Sequence, residues 1–105
     1  MEKVIFKNAV LEYFDDLVYI LFKDEYFGFA ESAQNYVDKI VDFVILSISN
    51  FPHKKTPKSL QYLGSYYIFY KSNARTTWYV FFEKRNQNYL ITGIINNYSE
   101  EIKEL

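Results

Sequence analysis

The fold is decided by residues 66–95, which read YYIFYKSNARTTWYVFFEKRNQNYLITGII. Aromatic and β-branched side chains, which favour strands, cluster there in three runs, at 66–70, 76–82 and 89–95. Short polar segments at 72–73 and 86–88 separate the runs and supply turn residues. These connections are too short for parallel crossovers, so the three runs are predicted to form an antiparallel meander.

The first two of these strands are apolar or aromatic on both sides. One side carries Tyr66, Ile68, Tyr70, Trp78, Val80 and Phe82, and the other carries Tyr67, Phe69, Tyr79 and Phe81. A pair of helices can cover only one face of a sheet. The second face is therefore predicted to bind a partner or to pack in an oligomer.

The N-terminal half has the pattern of one strand and two helices. A strand is predicted at 3–7, a helix at 9–23 with Asn8 as its N-cap, and a second helix at 29–49 after a turn at Gly28. The apolar stripes of the helices are Val10, Phe14, Leu17, Val18 and Leu21, then Ala33, Val37, Ile40, Val41, Val44 and Ile48. Residues 43–46 are apolar all round, so this helix end is expected to be buried on more than one side.

Residues 50–59 hold both prolines and are predicted to form a loop. A short C-terminal helix is predicted after Asn97 or Ser99 as its N-cap. The element order is therefore β-α-α-β-β-β. The predicted fold class is α+β, in two layers, with an antiparallel sheet covered on one face by a helical hairpin, as a single domain over 1–105.

Composition restricts the chemistry. The chain has 105 residues, half of them hydrophobic, and no cysteine, which excludes disulfides and thiolate chemistry. No signal peptide or membrane span is expected, and the protein is expected to be cytoplasmic. Neither metal-ligand spacing nor a glycine-rich phosphate loop is present, so no cofactor is expected.

Charge is distributed unevenly along the chain. Residues 1–50 carry nine acids and four bases, whereas residues 51–85 carry seven bases and one acid. The basic segment predicts a surface that meets an acidic partner or a phosphate backbone. The plain alternative is that these charges only solvate the surface.

Residues 63–71, LGSYYIFYK, resemble the second strand of the RelE/ParE superfamily of bacterial type II toxins, which carries a Gly-x-Tyr-Arg-Ile-x-Tyr-Arg type of run. Residues 75–82 then resemble the central strand of that family, and residues 89–98 the end of its last strand. The resemblance implies a small cytoplasmic toxin with an N-terminal strand, a helical hairpin and a curved antiparallel sheet.

The resemblance implies two modes of action. Family nucleases cleave messenger RNA within the ribosome through the RNA's own 2′-hydroxyl, which requires a base, cations and an acid. The family's second-strand arginine is missing near Tyr66 and Tyr67, and its terminal His or Tyr falls at Asn97 or Tyr98. The catalytic candidates are Arg75, Tyr98 and Lys71. ParE-like toxins instead block DNA gyrase and need no catalytic residue. A third interpretation is a non-toxic binding module that dimerises or binds a partner through its aromatic face.

The resemblance also implies a neutralising antitoxin, a small protein whose acidic residues pair with the bases of the toxin. The candidate residues for binding a partner or target are Lys54, Lys55, Tyr67, Tyr79, Lys84, Arg85 and Asn97. His53 is the only histidine. It is either the acid/base group of a loop that folds over the sheet or, preferably, an exposed loop histidine.

Overall fold

The computed structural model describes residues 3–23 and 30–105. The elements are β1 (Lys3–Phe6), α1 (Asn8–Lys23), α2 (Ala30–Ser47), β2 (Lys54–Lys55), a 3₁₀ turn (Lys58–Leu60), β3 (Tyr66–Asn73), β4 (Thr76–Arg85), β5 (Asn88–Asn96) and a C-terminal 3₁₀ helix (Glu100–Glu104). The α+β class and the order of the main elements are therefore confirmed. The predicted turn at Gly28 lies outside the described residues.

The five strands form one sheet in the order β1-β5-β4-β3-β2. Strands β3, β4 and β5 are antiparallel neighbours, as the short turns predict. Strand β1 is parallel to β5, so the predicted antiparallel sheet is confirmed for β2 to β5 and is wrong for β1. The connection from β1 to β5 includes both helices and three strands, and a connection of that length permits the parallel direction.

The segment 50–59, which was predicted to be a loop throughout, includes a short strand. Its residues Lys54 and Lys55 form the short edge strand β2, which pairs with Tyr67 and Tyr66 of β3. A strand of this length has no sequence signature of its own, because it consists of two lysines whose exposed side chains show no alternation.

Helix α1 begins one residue earlier than predicted. The carbonyl of Lys7 accepts hydrogen bonds from the N–H groups of Val10, at 2.9 Å, and Leu11, at 3.2 Å. Lys7, rather than Asn8, therefore occupies the cap position. Strand β1 ends at Phe6, one residue earlier, and the N–H of Lys7 still donates to the carbonyl of Ile91 at 2.9 Å, so the strand passes directly into the helix.

The core lies between the two helices and one face of the sheet, which we call the helix face. Its buried side chains from the helices are Val10, Phe14, Leu17, Val37, Ile40, Val44 and Ile48, and those from the strands are Ile68, Trp78, Val80, Phe82, Tyr89, Ile91 and Ile94. Among the predicted stripe residues whose side chains are described, Val18 and Val41 are partly buried and the others are buried. No helix in the described part of the chain is long and apolar enough to cross a membrane.

The end of α2 is less buried than predicted. Ile45 is 49% exposed and Leu46 is 74% exposed. Phe43 instead packs against Phe51 and Tyr70, with ring centroids 5.4 and 4.8 Å apart. One side of the helix end meets the sheet, and nothing among the described residues covers the other.

A chain of hydrogen bonds joins α2 to the β3–β4 hairpin. The indole N–H of Trp78 donates to the Tyr36 hydroxyl (2.9 Å), which lies 2.8 Å from the hydroxyl of Ser72. Ser72 in turn donates to the carbonyl of Thr76 (3.3 Å). Because a carbonyl only accepts, the single proton of Ser72 is used there, so Tyr36 must be the donor to Ser72. The direction of the whole chain is thereby fixed.

The opposite face of the sheet, the outer face, is only partly open. Residues 56–65, which we call the covering loop, and residues 99–105, the tail, lie over it. Leu60 of the loop is buried, and the side chain of Phe81 beneath the loop is fully buried. The chain itself therefore covers part of the face for which a partner or an oligomer was predicted.

A bulge in β5 seats the covering loop. Phe81 pairs with Gly93 while Phe82 pairs with Ile91, so Thr92 is an extra residue in the ladder. Its hydroxyl donates to the carbonyl of Leu63 at 2.5 Å. A Cβ on Gly93 would lie 2.9 Å from that same carbonyl oxygen, so the close approach of the loop requires a glycine.

Candidate functional site

The part of the outer face that stays open is a shallow groove of about 200 Å³. It is lined by Lys54, Tyr67, Phe69, Tyr79 and Leu105, and we call it the aromatic groove. The Tyr67 ring lies 6.1 Å from that of Tyr79, and the Phe69 ring lies 6.4 Å from that of Tyr79, centroid to centroid. The three rings are half-buried, so the groove offers a fixed aromatic surface.

Strand register explains why these side chains meet. Tyr67 and Phe69 are two positions apart on β3 and therefore point to the same face. Tyr79 is the residue directly opposite Phe69 on β4. Lys54 is opposite Tyr67 on β2, and its ammonium lies 5.8 Å from the centroid of the Phe69 ring. That distance is within the range of a cation–π contact.

The charge of the groove favours the binding of an anionic ligand over a cationic one. Burial raises the pKa of the Tyr67 hydroxyl above its ordinary value, and the nearby Tyr79 raises it further. The Tyr67 hydroxyl therefore stays neutral at physiological pH, and Lys54 supplies the formal charge among the groove side chains. An apolar side chain flanked by a carboxylate is the ligand that such a surface fits best.

A second cluster lies at the end of the sheet where β3 turns into β4. The Asn97 amide accepts the N–H of Thr77 (2.9 Å) and donates to the carbonyl of Arg75 (3.0 Å). The Tyr98 hydroxyl donates to the same carbonyl at 2.9 Å. We call this arrangement the hairpin clamp. It joins the end of β5 to the tip of the β3–β4 hairpin.

The clamp contains the catalytic candidates Arg75 and Tyr98, and the structure does bring them together. Lys71 is close in register, since it pairs with Thr77. The contacts of Arg75 in the clamp, however, are made by its backbone, and the Tyr98 hydroxyl proton is directed at a carbonyl. To transfer a proton to a substrate, Tyr98 would first have to leave this bond.

The remaining predicted binding residues are spread over the sheet. Lys84 and Arg85 precede the β4–β5 turn, whereas Arg75 lies in the turn at the other end of β4. These ends are about 30 Å apart at roughly 3.3 Å per strand residue. The ammonium of Lys84 lies 5.3 Å from the ring of Tyr89, a core residue on the helix face. Lys55 pairs with Tyr66, so it shares that face too. The bases of residues 51–85 therefore do not form one patch.

His53 is neither an exposed histidine nor a free acid/base group. Its ring packs edge-on against Phe82 and Tyr89, with centroids 4.9 and 5.7 Å apart. Its Nε2 lies 2.5 Å from the carbonyl oxygen of Ile48 at the end of α2. Since a carbonyl cannot donate, Nε2 must carry the proton. The preferred interpretation of an exposed loop histidine was wrong, because the loop packs onto the core.

Two members of the groove were missing from the predicted site. Phe69 belongs to the same alternating set as Tyr67, so the period of the strand could have identified it. Leu105 had no sequence signal, because its position over the sheet depends on the path of the tail.

No group of three or more His, Cys, Asp or Glu side chains in the described ranges is arranged to hold a metal ion.

No protein-family model matches this sequence, and neither the curated proteins nor the solved structures compared with it give a significant match.

Proposed function

We propose that this protein is the toxin component of a type II toxin-antitoxin pair and that it arrests growth by binding its target. DNA gyrase is the target that this mode of action favours, and a cognate antitoxin neutralises the protein. The sequence resemblance to RelE/ParE toxins supports the proposal. The strand, helical hairpin and antiparallel meander are compatible with it.

One observation carries the choice of binding over RNA cleavage. The side chains at the position that the resemblance assigns to catalysis, Asn97 and Tyr98, are bonded to the backbone of residues 75 and 77. Their hydrogen-bonding groups therefore hold the hairpin together. The aromatic groove, in contrast, presents half-buried rings and a cation that can contact another protein.

Growth after induced expression is the first measurement. We expect expression to stop growth, and we expect co-expression of an antitoxin encoded by the adjacent gene to restore it. In vitro, the purified protein should inhibit supercoiling by gyrase. Lys54→Glu, which reverses the charge of the groove, should weaken the growth arrest, whereas Lys39→Glu on α2 should not.

Tyr98→Phe separates the two modes of action. This substitution removes one hydroxyl and leaves the ring in place, so a toxin that acts by binding should still arrest growth. Mapping of transcript ends by primer extension provides the second readout. New cleavage sites within codons that disappear in Tyr98→Phe or Arg75→Ala would establish a ribosome-dependent nuclease and contradict the proposal.

A second candidate function is a non-toxic module that binds a protein partner or dimerises. The exposed Ile45 and Leu46 on α2 favour it, because they form apolar surface outside the groove. Normal growth at high expression, together with a stable homodimer in sedimentation analysis, would favour this function. Loss of the dimer in Leu46→Ser would locate the interface.

A further inference from the structure

A second cavity, of about 230 Å³, lies between α2 and β3 on the helix face of the sheet. We call it the polar cavity, and it is lined by Ser32, Asn35, Tyr36, Lys39, Tyr70 and Ser72. The four residues from α2 follow the helical repeat of three and four positions, so they lie on one side of that helix. The volume is below the roughly 300–1,000 Å³ of pockets that hold drug-sized molecules, so a ligand here must be small.

The wall formed by α2 supplies hydrogen-bond donors and a positive charge. Lys39 carries the formal charge of the lining residues, none of which is acidic. Within the described ranges, no hydrogen bond or ion pair occupies the ammonium of Lys39, the amide of Asn35 or the hydroxyl of Ser32. The adjacent Asp38 accepts a hydrogen bond from Gln34 at 2.8 Å and does not line the cavity. This wall therefore favours an anionic oxygen group.

The Ser72 hydroxyl, on the opposite wall, is an acceptor. The bulge in β3 leaves Ser72 without a partner on β4. Its proton is donated to the carbonyl of Thr76 (3.3 Å), and it accepts from Tyr36, whose hydroxyl receives the indole N–H of Trp78. A hydroxyl oxygen can accept two hydrogen bonds, so Ser72 can accept one more. A ligand group that contacts Ser72 must therefore be a donor, such as a hydroxyl.

We propose that the polar cavity binds a small hydroxylated anion, whose carboxylate or phosphate contacts Lys39 and whose hydroxyl group donates to Ser72. A hydroxy acid and a sugar phosphate share this chemistry. A neutral polyol lacks the charge, and a simple carboxylate lacks the donor. The site lies on the helix face, whereas the aromatic groove lies on the outer face, so this inference does not depend on the proposed function.

The side chain of Trp78 provides a local reporter, because it is the only tryptophan and its indole N–H bonds to Tyr36 in the cavity wall. Titration of the full-length protein with glycerate should shift the indole resonance in proton–nitrogen correlation spectra. The shift should saturate with a Kd on the order of 1 mM, since a small ligand makes few contacts. Glycerol and acetate each lack one of the two groups and should bind at least roughly tenfold more weakly. Glycerol 3-phosphate replaces the carboxylate by a phosphate, and the tighter of the two anions identifies the group that the site prefers.

Two substitutions locate the site. Lys39→Gln should weaken glycerate binding by at least roughly tenfold, whereas Lys103→Gln, the same change in the tail, should not. Ser72→Ala should remove the preference for glycerate over acetate. Far-ultraviolet circular dichroism checks that the variants are folded. Equal affinities for glycerol and glycerate, or unchanged glycerate binding in Lys39→Gln, would overturn the inference.

Discussion

At the scale of single residues, Tyr36 links α2 to the sheet through two side-chain hydrogen bonds. It accepts from the indole N–H of Trp78, which is 2% exposed, and it donates to Ser72. When a buried donor loses its acceptor, the free energy of unfolding falls, because water cannot replace the lost hydrogen bond. The packing of rings between α2 and β4 therefore depends on one hydroxyl group.

Tyr36→Phe should lower the free energy of unfolding by about 1–3 kcal/mol, the usual cost of a buried polar group left unsatisfied. Urea denaturation followed by the fluorescence of Trp78 measures the effect. Tyr62→Phe is the matched control, since Tyr62 is 72% exposed, and its unfolding midpoint should stay unchanged. Equal midpoints for the two variants would mean that the hydrogen-bond chain does not contribute to stability.

Gly64 is a second residue at which a single substitution is expected to change stability, because the structure leaves no room for a side chain there. A Cβ there would lie 2.7 Å from both the backbone nitrogen of Phe82 and Oγ1 of Thr92, and the φ angle is +153°. Gly64→Ala should therefore destabilise the protein by more than about 2 kcal/mol, because backbone cannot move aside cheaply. Thermal unfolding measures the loss. Ser65→Ala at the next position is the control and should change the melting temperature little.

At the scale of elements, the hairpin clamp fixes the tip of the β3–β4 hairpin. Asn97→Ala removes the acceptor of the Thr77 N–H and one donor to the Arg75 carbonyl. We expect faster amide hydrogen exchange at residues 73–77 and unchanged exchange in the β4–β5 turn, which the clamp does not touch. Uniform acceleration over the whole sheet would indicate global destabilisation instead of a local clamp.

The elements also differ in how well their sequences predicted them. The stripes of α1 and α2 and the three meander strands were predicted well, since period and turn chemistry are local properties. The apolar residues 43–46 were misjudged, because periodicity cannot tell whether a second element covers the far side of a helix. The two-residue strand β2 exists only because β3 offers it an edge.

At the scale of the whole molecule, Tyr13 of α1 and Tyr67 of the outer face make the stability of the fold sensitive to alkaline pH. Burial, and then the neighbouring Tyr36, raise the pKa of Tyr13 on the helix side above the ordinary 10.0, and burial with Tyr79 raises that of Tyr67. The folded state therefore keeps these protons to higher pH than the unfolded state. Their stabilising contribution is complete below about pH 10 and is lost as pH rises through the folded pKa values.

We therefore expect the urea midpoint to fall as pH rises above about 10, and Tyr13→Phe to make this fall shallower. Unfolding curves at several alkaline pH values give the slope. Tyr62→Phe at an exposed position serves as the control and should reproduce the slope of the unsubstituted protein. A slope that Tyr13→Phe leaves unchanged would show that this tyrosine does not couple to folding.

The sequence by itself determined the fold class, the buried stripes of the helices and the meander of the last three long strands. It also identified Tyr67, Tyr79 and Lys54 as surface candidates, because strand alternation and charge can be read from neighbouring residues. Only the tertiary structure decided the parallel pairing of β1, the packing of the His53 ring against Phe82 and Tyr89, and the position of Leu105 over the groove. Each of these depends on contacts between residues far apart in the chain, and local patterns do not specify such contacts.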